Sequence, residues 1–323
     1  MSAAAAGARL SLVPADLGPE IITVSEVMLD AIADADRYAV RGMPVLLVGE
    51  TGTGKELIAR RIHARSGRHG ELVPVNCAEL RPEQAANLLF GHKRGAYTGA
   101  TESTIGYVRR SSRGTLFLDE ITSLPGETQP MLLRVLETGE VTPFGDDKAV
   151  RVDLRVVAAA QPAIRQMLSS GDARLDLFER LAVSTVMLPP LRERPNDIWP
   201  LAVAFAAAHS ARLHPGAAAP LLDHAWPGNV RELKSVVARA TAHASGASVG
   251  DAEMAKAMRA ALVTPAELEG EVQRAQQRQR LRALCEEAGG DWRRLLQLTR
   301  LSRATLYRQL RECGLQLRHF RHS

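Results

Sequence analysis

The sequence predicts an α/β protein: a parallel sheet with helices on both faces, then a smaller helical region, then a pair of short helices at the C-terminus. Three observations predict it. The short apolar runs Val45–Val48, Thr115–Leu118 and Leu154–Ala160 alternate with helical patterns, which marks buried parallel strands joined by helices. The first run leads straight into the glycine-rich stretch Gly49-Glu50-Thr51-Gly52-Thr53-Gly54-Lys55-Glu56, which opens a helix. From Leu188-Pro189-Pro190 onward strand signals stop and helical periodicity takes over.

The totals fit this class. At 323 residues the chain forms roughly two or three compact units. Hydrophobic residues make up 46% and charged residues 24%, as in ordinary globular proteins, and the 4% aromatic content beside abundant alanine favours helix. Three scattered cysteines (Cys77, Cys285, Cys313) fit neither a disulfide framework nor a zinc site. No apolar run approaches the ~20 residues that span a bilayer, and residues 1–19 read as a flexible leader without a signal-peptide core. The expected setting is cytoplasmic, with no membrane partner. Residues 291–323 carry eight Arg against Asp291 and Glu312, a local charge of +6 within a total of +5. The basic surplus therefore sits in the last tenth of the chain, where it suggests a nucleic-acid contact.

Taken in order, residues 20–41 place Ile21, Val24, Val27, Met28, Ala31, Ile32 and Ala35 at helical spacing. The strand Val45–Val48 and the turn Gly49–Lys55 present several backbone N–H groups at one point. Such a turn cradles phosphates, the helix N-terminus favours their charge, and Lys55 reaches the β- and γ-phosphates. The expected Ser or Thr after the lysine is Glu56. Alone, this motif means bound phosphate and no more. Leu72–Cys77 is a short strand with Asn76 near its end. Thr115–Glu120 is a buried strand ending in two carboxylates, expected beside the first. Its first acid, Asp119, suits Mg2+ and its second, Glu120, suits an attacking water. Leu154–Ala160 is a further strand. The loop, Asn76 and Asp119-Glu120 all fall at strand carboxyl ends, where ligands of open parallel sheets bind.

Beyond the sheet, Ile198–His209 and Val230–His243 read as helices, with Trp226-Pro227-Gly228-Asn229 as a turn and small residues at 244–250 as a boundary. Residues 251–284 read as helix broken at Thr264-Pro265 and then a polar connector. Asp291–Cys313 splits into two helical patterns around Thr299-Arg300-Leu301, and Ser302 can N-cap the second. Two short helices, the second basic, read as a DNA-binding helix-turn-helix; a basic hairpin docked on the nucleotide-binding region fits the same pattern.

Together these motifs resemble the AAA+ activators of sigma-54 RNA polymerase, the bacterial enhancer-binding proteins. The resemblance covers about residues 20–245 plus a C-terminal helix-turn-helix similar to the Fis type. It rests on GETGTGKE (49–56), GTLFLDEI (114–121), LPPLRERPNDI (188–198), WPGNVREL (226–233) and above all Gly95-Ala96-Tyr97-Thr98-Gly99-Ala100. The last resembles the family's GAFTGA loop with Tyr for Phe; an aromatic between glycines suits a mobile tip that buries one anchor in a partner.

The resemblance implies an AAA+ P-loop subdomain over 20–187, a helical lid over 188–250, a linker over 251–284 and a DNA-binding domain over 285–323. It implies an ATP- and Mg2+-dependent ATPase working as a hexameric ring, homomeric or with a paralogous subunit, that binds enhancer DNA and opens sigma-54 closed promoter complexes. Gly49–Glu56 would hold the phosphates, with Lys55 central, and Asp119 the Mg2+. Glu120 would activate water, and Asn76 would pair with it and sense the γ-phosphate. Arg174 and Arg180 match paired arginine fingers that enter the neighbouring subunit's site. Arg231 matches the lid's nucleotide-sensing arginine, and Ile22, with Ile21, would pack on adenine. Residues 95–100 would touch sigma-54, while Ser302, Arg303, Thr305, Tyr307 and Arg308 would touch DNA.

Four departures bear on this. Ala160-Gln161 stand where the family has Thr-Asn, Arg109 where Glu is common, and Leu295-Leu296 with Arg300 where small residues and a turn glycine are usual. Only about 20 residues precede the nucleotide-binding region, fewer than the ~50 of a domain, as in the Hrp-type activators of type III secretion genes. Control would then come from a trans-acting regulatory protein or from expression level. A rival reading is a nucleotide-regulated DNA-binding repressor or co-regulator that does not remodel sigma-54.

Overall fold

Five parallel strands form the central sheet: β1 (Val45–Val48), β2 (Leu72–Asn76), β3 (Thr115–Asp119), β4 (Arg155–Ala160) and β5 (Thr185–Met187), in the spatial order β2-β3-β4-β1-β5. The computed structural model describes residues 11–12, 21–96, 102–164, 174–244, 246, 248–261, 281–282, 284–286, 288–289, 291–299 and 306. The chain divides into two compact units, Met1–Arg259 and Ala260–Ser323.

The strand carrying Asp119 does not lie beside β1, as the sequence reading had it; β4 lies between them. Composition explains the placement. All six residues of β4 are buried and three are alanines, as suits a strand with neighbours on both sides and helices over both faces. The three-residue edge strand β5 is too short to announce itself as an apolar run.

Alternation along the strands splits the core. Val45, Leu47, Phe117, Val157 and Ala159 face α1 (Glu26–Arg41) and α2 (Lys55–Arg65). Leu46, Val48, Leu116, Leu118, Val156 and Ala158 face α3 (Pro82–Phe90), α4 (Tyr107–Arg110), α5 (Gln129–Thr138) and α6 (Leu175–Leu181). Helix α1 begins six residues later than the apolar spacing suggested, and Val27 is exposed. The residues before it are held extended: Ile22–Thr23 pairs antiparallel with Ser11–Leu12, and the buried Asp197 carboxylate accepts from Thr23 Oγ1, Val24 N and Ser25 N at 2.7, 2.7 and 3.0 Å.

The helical region contains α7 (Ile198–Ala208), α8 (Ala218–Leu222), α9 (Asn229–His243) and α10 (Asp251–Ala261). Strand structure does not end at Leu188: Arg212–Leu213 and Ser248–Val249 pair in parallel. In the C-terminal unit, α11 (Trp292–Thr299) contributes Leu295 to an apolar cluster with Leu281, Cys285, Ala288 and Leu306. The leucine that departs from the family's small pair is thus a core residue.

Candidate functional site

The phosphate loop is built by backbone geometry. Gly52 and Gly54 take φ of +79° and +105°, the left-handed region that side chains disfavour. Thr53 is buried, and its Oγ1 donates to Glu50 O at 2.8 Å, closing the turn. The loop is tied to the sheet by Gly49 N donating to Ala160 O at 3.1 Å. Lys55 Nζ donates to Gly49 O and Glu50 O at 2.8 and 3.0 Å. Burial pulls its pKa below the usual lysine value, while the carboxylates of Asp119 and Glu120 act in the opposite direction. Those acids therefore act electrostatically on the lysine of the phosphate loop. Glu56 pairs with Arg60 along the exposed face of α2, at 2.6 Å.

At the end of β3, Glu120 sits at φ 52°, ψ 47°. A non-glycine residue in that region is strained, and such strain collects at functional positions. Asp119 stands opposite Asn76 in register. The expected pairing of Asn76 with Glu120 is not present: the Asn76 amide donates to Glu79 Oε1 at 2.8 Å, and its Oδ1 caps Ala78 N. Arg174 is the N-cap of α6 and Arg180 lies in its last turn, both exposed. Arg174 makes a two-toothed bond to Asp176 at 3.1 and 2.7 Å, and that bond raises its pKa.

Residues that the sequence reading had placed only within family blocks join the loop to the lid. Arg192 grips Glu50 with two bonds at 2.8 and 2.6 Å, which above all holds the Glu50 carboxyl below its ordinary range. The buried Arg194 donates to Thr53 O at 3.0 Å and lies 3.5 Å from Asp197. Asn229, fully buried, donates to Glu50 Oε2 and Thr51 O at 3.1 and 3.0 Å and accepts from Leu191 N at 2.7 Å. Val230 N donates to Gly52 O at 3.0 Å. A Cβ on Gly52 would lie 2.3 Å from Gly228 O and 3.1 Å from Arg231 Cβ. The Cβ of Arg231 thereby stands beside the loop. Ile21 is buried in the core and Ile22 half-buried, at the start of the same unit.

Against this geometry the comparisons are specific. Residues 21–187 match the sigma-54 interaction domain, and residues 192–280 match an AAA+ ATPase lid domain. The chain belongs to the sigma-54 interaction domain family. It is 44% identical over 243 residues to the nitric oxide reductase transcription regulator NorR2 of Cupriavidus necator, covering 73% of this chain and 47% of that one. It is 45% identical over 212 residues to the pathogenicity locus probable regulatory protein HrpS of Pseudomonas syringae pv. syringae, covering 64% and 70%. The chain thus spans about half the length of the nitric oxide regulators it matches. NtrX from Brucella abortus, solved in complex with ADP, superposes with a TM-score of 0.68 at 28% identity, covering 91% of this chain and 70% of that one. A Thermotoga maritima RuvB mutant shares the fold, with a TM-score of 0.53 at 16% identity, covering 90% and 83%.

The backbone on either side of residues 97–101 is braced. His92 bridges Thr104 and Phe144, Phe144 N donates to Gly91 O at 3.0 Å, and Lys93 pairs with Asp146 at 2.8 Å. A Cβ on Gly145 would lie 2.8 Å from Ala96 Cβ. Gly95 and Ala96 belong to this braced backbone, while Tyr97, Thr98, Gly99 and Ala100 lie outside the described residues, as do Ser302, Arg303, Thr305, Tyr307 and Arg308. The half-buried Arg109 sits on α4. Among the described residues, no helix is long and apolar enough to cross a membrane.

Proposed function

We propose that this chain is an ATP-driven transcription activator that binds upstream enhancer DNA and remodels the closed complex of sigma-54 RNA polymerase into an open one. The observation that carries the reading is the gathering of the glycine loop, Lys55 and the Asp119-Glu120 strand end within a sigma-54 interaction domain, with Arg231 of the lid domain beside the loop. The loop N–H groups and Lys55 bind the phosphates. Asp119 would hold Mg2+, which when bound neutralises charge on the phosphoryl oxygens. Glu120 orients the attacking water and receives its proton. Asn76 must leave Glu79 to reach Glu120. In a hexameric ring, Arg174 exchanges Asp176 for the neighbouring subunit's phosphates, with Arg180 beside it, so that turnover depends on assembly. Ile22 lies against adenine. Hydrolysis moves residues 95–100 against sigma-54, and residues 285–323, read as a Fis-type helix-turn-helix, hold the enhancer. The ring works in the cytoplasm, under a trans-acting regulatory protein.

The test is Glu120→Gln in the full chain. It is expected to bind ATP while losing steady turnover and open-complex formation; retention of both refutes the reading. Capture of sigma-54 by the chain trapped with an ATP transition-state mimic separates it from the rival, since a co-regulator that does not remodel sigma-54 captures none.

A further inference from the structure

We propose that His224 is a positioning residue for the nucleotide site: its ring nitrogen shapes the lid turn that closes on the phosphate loop. The inference rests on the nucleotide reading above and extends it to a side chain outside the site. The turn Trp226–Asn229 begins and ends in the left-handed region, with φ of 51° and 52° at two non-glycine residues. A backbone of this kind persists only where its surroundings impose it.

Two side chains do so. His224 Nδ1 accepts from Trp226 N at 2.9 Å, a side chain bonding the amide two residues on, as Asn and Asp do in turns. The ring proton then sits on Nε2, 3.7 Å from Glu232 Oε1. Glu232, its side chain 5% exposed, accepts from Gly228 N through Oε2 at 2.8 Å. The Trp226 indole is anchored by Nε1 donating to Leu221 O at 2.9 Å, and it meets the His224 ring edge-on at 4.7 Å. Both ends of the turn are thus held from behind, and its front touches the loop: Asn229 bonds Glu50 and Thr51, and Val230 N bonds Gly52 O. A turn that relaxes at Trp226 withdraws those donors from the loop without disturbing Asp119 or Glu120, which stand on β3.

The experiment compares three variants of the full chain. Asn at 224 places Oδ1 where Nδ1 stands; Gln carries its oxygen one bond too far; Leu has no acceptor. Binding of a fluorescent ADP analogue and ATPase kinetics are measured. His224→Leu and His224→Gln are expected to raise the ADP dissociation constant and the ATP KM about tenfold, the effect of leaving one turn amide without its acceptor. The kcat at saturating ATP should stay within about twofold, since the reacting groups are untouched. His224→Asn should bind like the wild type. If His224→Leu does not fold, the Gln–Asn pair decides. Wild-type affinity in His224→Gln, or His224→Asn binding as weakly as His224→Gln, overturns the proposal. A wild-type chain that fails to bind the analogue overturns the nucleotide reading itself, and this proposal with it.

Discussion

Asn229 is one of the residues through which the lid holds the phosphate loop, and replacing it separates three effects. Asn229→Ala removes the acceptor of Leu191 N at 2.7 Å inside a fully buried site, which costs about 1–3 kcal/mol for the stranded donor. The lost bonds to Glu50 and Thr51 add about 1 kcal/mol, since Arg192 still satisfies Glu50. Alanine at φ 52° adds about 1 kcal/mol more, because it lacks the tolerance of Asn for this region. The expected loss is about 3–5 kcal/mol. Asn229→Gly makes the same hydrogen-bond losses without the strain and should recover under about 1 kcal/mol, part being offset by chain entropy. Asn229→Asp keeps the acceptor for Leu191 but turns a carboxylate oxygen toward Glu50 Oε2, 3.1 Å away. At an effective dielectric near 20 that repulsion is about 5 kcal/mol before Arg192 offsets part of it, so Asp should be at least as damaging as Ala. Urea unfolding of each variant, with ADP affinity in parallel, checks the order. Asn229→Asp as stable as the wild type, or Asn229→Ala within 1 kcal/mol of it, refutes the reasoning.

Gly52→Ala forces a side chain into the left-handed region with its Cβ 2.3 Å from Gly228 O, and it should cost about 3 kcal/mol or more and abolish measurable nucleotide binding in a calorimetric titration. Asp197→Ala strands Thr23 Oγ1, two backbone N–H groups and the buried Arg194 guanidinium; a loss of about 3–5 kcal/mol, read as a lowered unfolding temperature, is expected. His63 is held below its ordinary value of 6.5, mainly by burial and then by Arg68 and Arg155. The unfolded chain therefore binds the proton more readily, so stability is full above about 6.5 and falls as pH drops below it, levelling off beneath the folded value. His63→Gln should flatten that stretch of a stability–pH curve while leaving the rest unchanged.

What the sequence disclosed and what it withheld divide by distance along the chain. The strands β1, β3 and β4, the glycine turn and the Asp119-Glu120 pair were legible because each is a local pattern: an apolar run, a spacing, two adjacent acids. The order of the strands was not, since nothing within Val156–Ala160 states that it inserts between β1 and β3. Nor were the partners of the loop. Arg192 meets Glu50 across 142 residues and Asn229 meets it across 179, and each reads in isolation as an ordinary surface or turn residue. The start of α1 was misread for the same reason, because Asp197 holds Val24 and Ser25 extended from more than 170 residues away. Glu79 was absent from the sequence reading; three residues from Asn76, it takes the amide expected for Glu120.

These long-range contacts give the departures from the family pattern a physical reading. Ala160 lies opposite Val48 in register, is 1% exposed, and reaches the loop only through its carbonyl on Gly49 N. Its backbone carbonyl holds the loop to the sheet, while its methyl side chain has no donor to offer a phosphate. On the lid side the contacts are polar and numerous: Arg192 and Asn229 on Glu50, Arg194 on Thr53, Val230 on Gly52, with Arg231 against the same glycine. A change in the loop's shape on binding or losing phosphate must then displace the lid, because Gly228 O leaves no slack at Gly52, whereas β4 can stay in place. Polar reporting of the nucleotide in this chain therefore falls to the lid turn more than to the end of β4, and the turn's geometry, set by His224 and Glu232, determines how tightly loop and lid move together.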